Sequence, residues 1–83
     1  MNSLARDPKQ LGNLIRRVRK KLGLSQTDLG TRTGLRQATI SSIETGNPST
    51  KLETILAILA ALDLEFQIKP RSKGWSEDIE DLL

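Results

Sequence analysis

The sequence contains no cysteine and no histidine. Without cysteine there is no disulfide framework and no thiolate metal site. Without either residue, zinc fingers, catalytic triads and Cys–His nucleophiles lack their ligands and bases. Aromatic residues are almost as scarce: Phe66, Trp75 and no tyrosine. RNA-binding sheets and single-strand-binding barrels stack bases on several rings, so neither class fits. No apolar run approaches the roughly 18 residues that span a bilayer, and no signal-peptide core opens the chain. The expected location is therefore the cytoplasm or the nucleoid. There is no Gly-rich phosphate loop and no metal-ligand spacing. The paired acids Glu77/Asp78 and Glu80/Asp81 sit in a polar tail where nothing would split their pKa values. An enzyme is not expected, nor a metal or cofactor.

What the chain does hold is charge, unevenly placed. Residues 1–36 carry nine Lys/Arg against two acids, a net +7; residues 37–73 are neutral; residues 74–83 carry four acids. A basic head suits a polyanion partner, although a solvated helix face would look the same by charge alone. With 83 residues the chain is sized for one domain, small enough that a partner subunit would help it hold together.

Helical periodicity accounts for most of the head and middle. Asp7-Pro8-Lys9-Gln10 reads as a helix start with a capping box. Leu11, Leu14, Ile15, Val18 and Leu22 follow as one apolar stripe, and Gly23 ends it. Ser25 caps a second helix with Asp28 three residues on, stopped by Gly34. A third segment runs from Arg36 to Thr45 with Ile40 and Ile43 inward. Gly46-Asn47-Pro48-Ser49 is a turn. Thr50-Lys51-Leu52-Glu53 reads as another capping box, with Leu52, Ile55, Leu56, Leu59 and Leu62 on one face of a fourth helix.

The period then drops to two. Leu62, Leu64, Phe66 and Ile68 alternate with Asp63, Glu65, Gln67 and Lys69 until Pro70, the pattern of a half-buried strand. A lone strand leaves its backbone groups unpaired, so the expected partner is its own copy in a two-fold dimer. The alternatives are an extension of the fourth helix or a loop. The division expected is thus 1–69 for DNA binding and dimerisation and 70–83 for a flexible acidic tail. In that tail Trp75, Ile79 and Leu82 fall at helical spacing. They suit docking on a partner protein, or folding back onto their own dimer.

Ser25 to Gly46 is the informative centre. Two short helices joined at Gly34, locked by Leu29, Leu35, Ile40 and Ile43 and crossing at the small Gly30, meet the requirements of a helix-turn-helix. The second helix should enter a major groove N-terminus first. The face it would present, Arg36, Gln37, Ala38, Thr39, Ser41 and Ser42, is richer in small polar residues than a merely solvated helix, which favours Lys and Glu.

Residues 11–62, with the run IRRVRKKLGLSQTDLGTRTGLRQATISSIETG, resemble the Xre/Cro/C1-type helix-turn-helix family. Adding the LDLEFQI segment and the tail, the whole chain is similar to the HipB-type antitoxins. The resemblance implies a mainly α, four- to five-helix, lambda-repressor-like bundle with one C-terminal β-strand forming an intermolecular lid. It implies double-stranded operator DNA, near-palindromic, as ligand, and a HipA-type kinase toxin as partner of a bacterial autorepressor. It places base contacts on Arg36, Gln37, Ala38 and Ser41, with Thr39 and Ser42 beside them. It places a phosphate on Gln26 at the helix start beside Ser25. Arg16, Arg17, Lys20, Thr45, Asn47 and Lys51 are further phosphate candidates, and Arg19 with Glu44 an internal salt bridge. Arg36 departs from the Ser or Thr that caps the third helix in many members. A stand-alone phage-repressor-like regulator, without a toxin, is the alternative reading.

Overall fold

Four short helices, each with an identifiable start, make up the ordered frame in a computed structural model that describes residues 4–71: α1 (Pro8–Lys21), α2 (Gln26–Thr33), α3 (Gln37–Glu44) and α4 (Leu52–Ala61). Asp7 caps α1, its Oδ1 accepting from Gln10 N at 2.7 Å. The expected reciprocal bond is displaced by one residue, because Gln10 Oε1 accepts from the N–H of Arg6. In α2 the capping box is complete in both directions between Ser25 and Asp28. Arg36 makes no side-chain cap to α3, as its chemistry dictates. The α4 start differs from expectation: Lys51 occupies the cap position without a side-chain bond. Thr50 Oγ1 instead donates back to Asn47 O at 3.2 Å, so the turn rather than the helix holds its hydroxyl.

The helices stack α1 on α3, α2 on α3 and α2 on α4. Ile15, Leu29, Ile40 and Ile58 are fully buried at the centre, with Ile43, Ile55, Leu59 and Leu62 around them. Each such side chain contributes about 1.5–3 kcal/mol by leaving water. Of the expected α4 face, Ile55, Leu59 and Leu62 turn inward together with Ile58, whereas Leu52 and Leu56 are exposed. Two glycines permit the closest approaches. A Cβ on Gly30 would lie 2.6 Å from Leu35 O, at the crossing of α2 with the turn. A Cβ on Gly12 would lie 2.3 Å from Ile43 O, so α1 and α3 nearly touch backbone to backbone.

After α4 the chain closes in a Schellman motif. Leu64 N donates to Leu59 O at 2.7 Å and Asp63 N to Ala60 O, with Asp63 in the left-handed region at φ 59°. Leu64 packs on the core. From there to Arg71 the chain belongs to no regular element, and among the described residues there is no strand. The expected strand through Leu64, Phe66 and Ile68 therefore does not form among the described residues, which offer it no second edge. Phe66 is 48% and Ile68 85% exposed. With Leu11, Leu14 and Val18 of α1 and Leu22 at its C-cap they line an open apolar groove of about 790 Å³. Trp75, Ile79 and Leu82 lie outside the described residues.

Candidate nucleic-acid interface

The interface is organised by one buried ion pair. Arg19 on α1 and Glu44 at the end of α3 have side chains only 8% and 2% exposed. Arg19 Nε donates to Glu44 Oε2 at 2.6 Å and Nη2 to Oε1 at 2.9 Å, while Nη1 donates to Leu24 O at 2.8 Å. Each guanidinium nitrogen thus has a partner, as a buried pair requires. Burial pushes the Glu44 carboxyl up, but the hydrogen bonds from Arg19 and Gln26 and the charges of Arg19 and Arg16 outweigh it and hold it below its ordinary value.

The network continues outward. Gln26 Nε2 donates to Glu44 Oε1 at 3.1 Å, and Gln26 Oε1 accepts from Gln37 Nε2 at 2.5 Å. A buried charge thereby reaches, through one amide, the first residue of α3. Arg36, Gln37 and Ala38 are exposed there in a single turn, and Gly34, left-handed at φ 73°, sets the angle at which they emerge. Thr39, Ser41 and Ser42 are half-buried on the same helix. Ser42 Oγ accepts from Asn47 Nδ2 at 3.1 Å, and Thr45 Oγ1 donates to Ser42 O, so these hydroxyls also brace the turn after α3. Asn47 Oδ1 accepts from Ser49 N.

The other phosphate candidates divide by position. The Ser25 side chain is occupied by the α2 cap; Lys51 is exposed ahead of α4. Arg16 lines a polar cleft together with Gln26, Ser41, Glu44 and Thr45. Lys20, one helical turn on from Arg16, is exposed, as is Arg17. Arg17 borders neither this cleft nor the apolar groove. Two residues that sequence reasoning passed over, Lys9 and Asn13, complete the cleft lining. Their i, i+4, i+7 spacing with Arg16 was a usable signal.

Comparison with known proteins identifies the family and the fold. The helix-turn-helix family profile matches residues 15–68. The antitoxin HipB of Escherichia coli K12 is 38% identical over 73 residues, spanning 88% of this chain and 83% of HipB. A solved HipB–O4 20mer complex superposes with a TM-score of 0.78 at 33% identity, covering 87% of this chain and 100% of that one. A HipA–HipB–O2–O3 complex gives 0.75 at 36% identity, with the same coverage of each chain. The chain belongs to the Xre-type helix-turn-helix family and is similar over most of its length to HipB antitoxins.

Proposed function

We propose that this chain is a dimeric, sequence-specific repressor of double-stranded DNA and the antitoxin of a HipBA-like module, repressing its own operon and binding a HipA-type kinase toxin. The observation that carries the DNA reading is the Gln26–Gln37 hydrogen bond backed by Arg19–Glu44. Gln37 Nε2 gives one hydrogen to Gln26 and retains a second, and its Oε1 is an acceptor. That remainder matches the N7 acceptor and N6 donor on the major-groove edge of adenine. Arg36 beside it suits guanine O6/N7, and Ala38 leaves room for a thymine methyl. Thr39 and Ser42 flank them. The start of α2 at Ser25 and Gln26, where the capping box leaves the backbone N–H groups of Gln26 and Thr27 unused, suits a phosphate, as do Arg16, Arg17, Lys20, Thr45, Asn47 and Lys51 around it.

Dimerisation is supported by the exposed Phe66 and Ile68, two and four residues after the half-buried Leu64, beside an apolar groove. Two copies pairing these segments antiparallel would satisfy both backbones and cover both grooves. Toxin binding is supported by the HipA–HipB complex among the relatives, with Trp75, Ile79 and Leu82 as the contacts proposed.

The test is Gln37→Ala against DNA selected by the protein and against random duplex. Loss of roughly 1–3 kcal/mol on the selected site and little on random sequence is expected; equal loss on both would refute base reading by this side chain. Truncation after Pro70 tests the tail. A truncated chain that still captures the same kinase partner removes Trp75, Ile79 and Leu82 from that role, and a source cell yielding no such partner leaves a stand-alone regulator.

A further inference from the structure

The polar cleft of about 460 Å³ between α1 and α3 holds more donors than the fold uses. Its one carboxylate, Glu44, already accepts from Arg19 and Gln26. The Arg19–Glu44 pair is neutral as a unit, so Lys9 and Arg16 leave the cleft net cationic, with the Asn13 amide and the Ser41 hydroxyl beside them. Lys9 is fixed in place at its backbone: a Cβ on Gly46 would stand 2.9 Å from Lys9 Cα, so the turn after α3 presses on the first turn of α1. Ser41 and Thr45 lie about 6 and 12 Å along α3 from Gln37 at 1.5 Å per residue. With Gln37 at a base edge, that separation reaches the backbone bordering a major groove about 12 Å wide.

We propose that this cleft seats one DNA phosphodiester, gripped by Lys9, Asn13 and Arg16, and that the N-terminal half of α1 thereby sets the depth and tilt of α3 in the groove. The proposal rests on the DNA-binding reading above and deepens it. It also separates the basic residues of α1 by role. Lys9 and Arg16 line the cleft with Asn13, whereas Arg17 and Lys20 lie outside its lining and are left for phosphates elsewhere along the backbone. Net charge alone would make every cation of α1 equivalent; the cleft does not.

The experiment compares Lys9→Ala and Asn13→Asp with Arg32→Ala, an exposed cation of α2 outside the cleft, in the full-length chain. Binding to a short random-sequence duplex and to the selected site is measured across salt from about 50 to 200 mM. Lys9→Ala is expected to lower affinity about three- to tenfold on both duplexes and to reduce the log–log salt slope by about one per protomer. Asn13→Asp, placing an anion in the seat, is expected to weaken both at least as much. Arg32→Ala is expected to shift affinity less than about twofold with the slope nearly intact. Thermal unfolding of each variant checks that the exposed positions leave the fold intact. If Lys9→Ala and Arg32→Ala are indistinguishable in slope and affinity, the phosphate seat is refuted while the DNA-binding reading stands. If the unmodified chain binds neither duplex, both fall together.

Discussion

Replacing Glu44 with alanine would leave Arg19 buried with one acceptor, Leu24 O, and would strip Gln26 Nε2 of its partner. Breaking a buried pair from one side costs about 3–5 kcal/mol, and the polar cleft beside Glu44 lets water soften this toward about 3. At about 0.05–0.15 kcal/mol per residue, residues 4–71 hold roughly 3–10 kcal/mol in all. Glu44→Ala is therefore expected to lower Tm by about 12–24 °C, at 4–8 °C per kcal/mol for a domain of this size. Arg19→Met alone strands the carboxylate and should cost a similar amount. The double replacement Arg19→Met/Glu44→Leu substitutes apolar packing for the pair and should recover much of the loss, giving a coupling of about 1.5–3 kcal/mol in urea unfolding followed by circular dichroism. Recognition should not recover with stability, because Gln26 would still lack the acceptor that orients it toward Gln37. Single losses that add to the double within about 0.5 kcal/mol, or a double variant with full sequence discrimination, would refute the network as drawn.

Gly12→Ala should cost about 3 kcal/mol or more in denaturant unfolding, since its Cβ would meet the Ile43 carbonyl oxygen at 2.3 Å and neither backbone can give way cheaply. Stability should also fall on the acid side. The Glu44 carboxyl lies below its ordinary value against burial for the reasons above, and Asp28 is lowered by its backbone and side-chain bonds with Ser25. A folded-state value below the unfolded one gives stability that is complete above the unfolded value and lost as pH falls through the folded one. Denaturation midpoints should therefore hold near neutrality and drop below about pH 4, and Glu44→Gln should flatten that drop; an unchanged acid limb would exclude Glu44 as its source. Phe66→Asp should shift the chain toward monomer in sedimentation, and an unchanged mass would sink the pairing of the 64–68 segments.

The helix-turn-helix was legible because its determinants are local. Ser25 and Asp28 cap each other within one turn, Gly34 supplies a left-handed residue where the chain must bend, and Ile40 and Ile43 sit one turn apart. What escaped the reading depends on distant neighbours. Gly12 looks like a weak residue in a helix until α3 is placed against it. Leu52 and Leu56 look like core because α4 is apolar nearly all round, and no polar face fixes which side turns inward. Thr50 met the spacing of a cap, but the helix starts one residue later, with Lys51 at the cap position, and the Thr50 hydroxyl donates to Asn47 O in the turn. Lys9 and Asn13 were hidden by the denser charge at the far end of α1. Arg19–Glu44 came through resemblance to a family, since nothing local in either segment announces a partner 25 residues away.

The segment after α4 marks the boundary of what one chain can express. Alternation from Leu64 to Ile68 specifies two faces, one apolar, and the structure keeps that distinction by packing Leu64 on the core beside the groove. A strand, however, is defined by hydrogen bonds to a second edge, and four helices with no other extended segment among the described residues contain none. Asp63 held at φ 59° favours the same conclusion. A left-handed aspartate costs of order 1 kcal/mol relative to glycine, and it persists because the Schellman bonds require that turn to send the chain out along α1 rather than on as helix. The turn directs the segment away from continued helix and the alternation shapes it for a sheet; in the dimer proposed above, a second copy would bring the missing edge. The period-two pattern is a local property whose structural consequence, on that proposal, belongs to the pair.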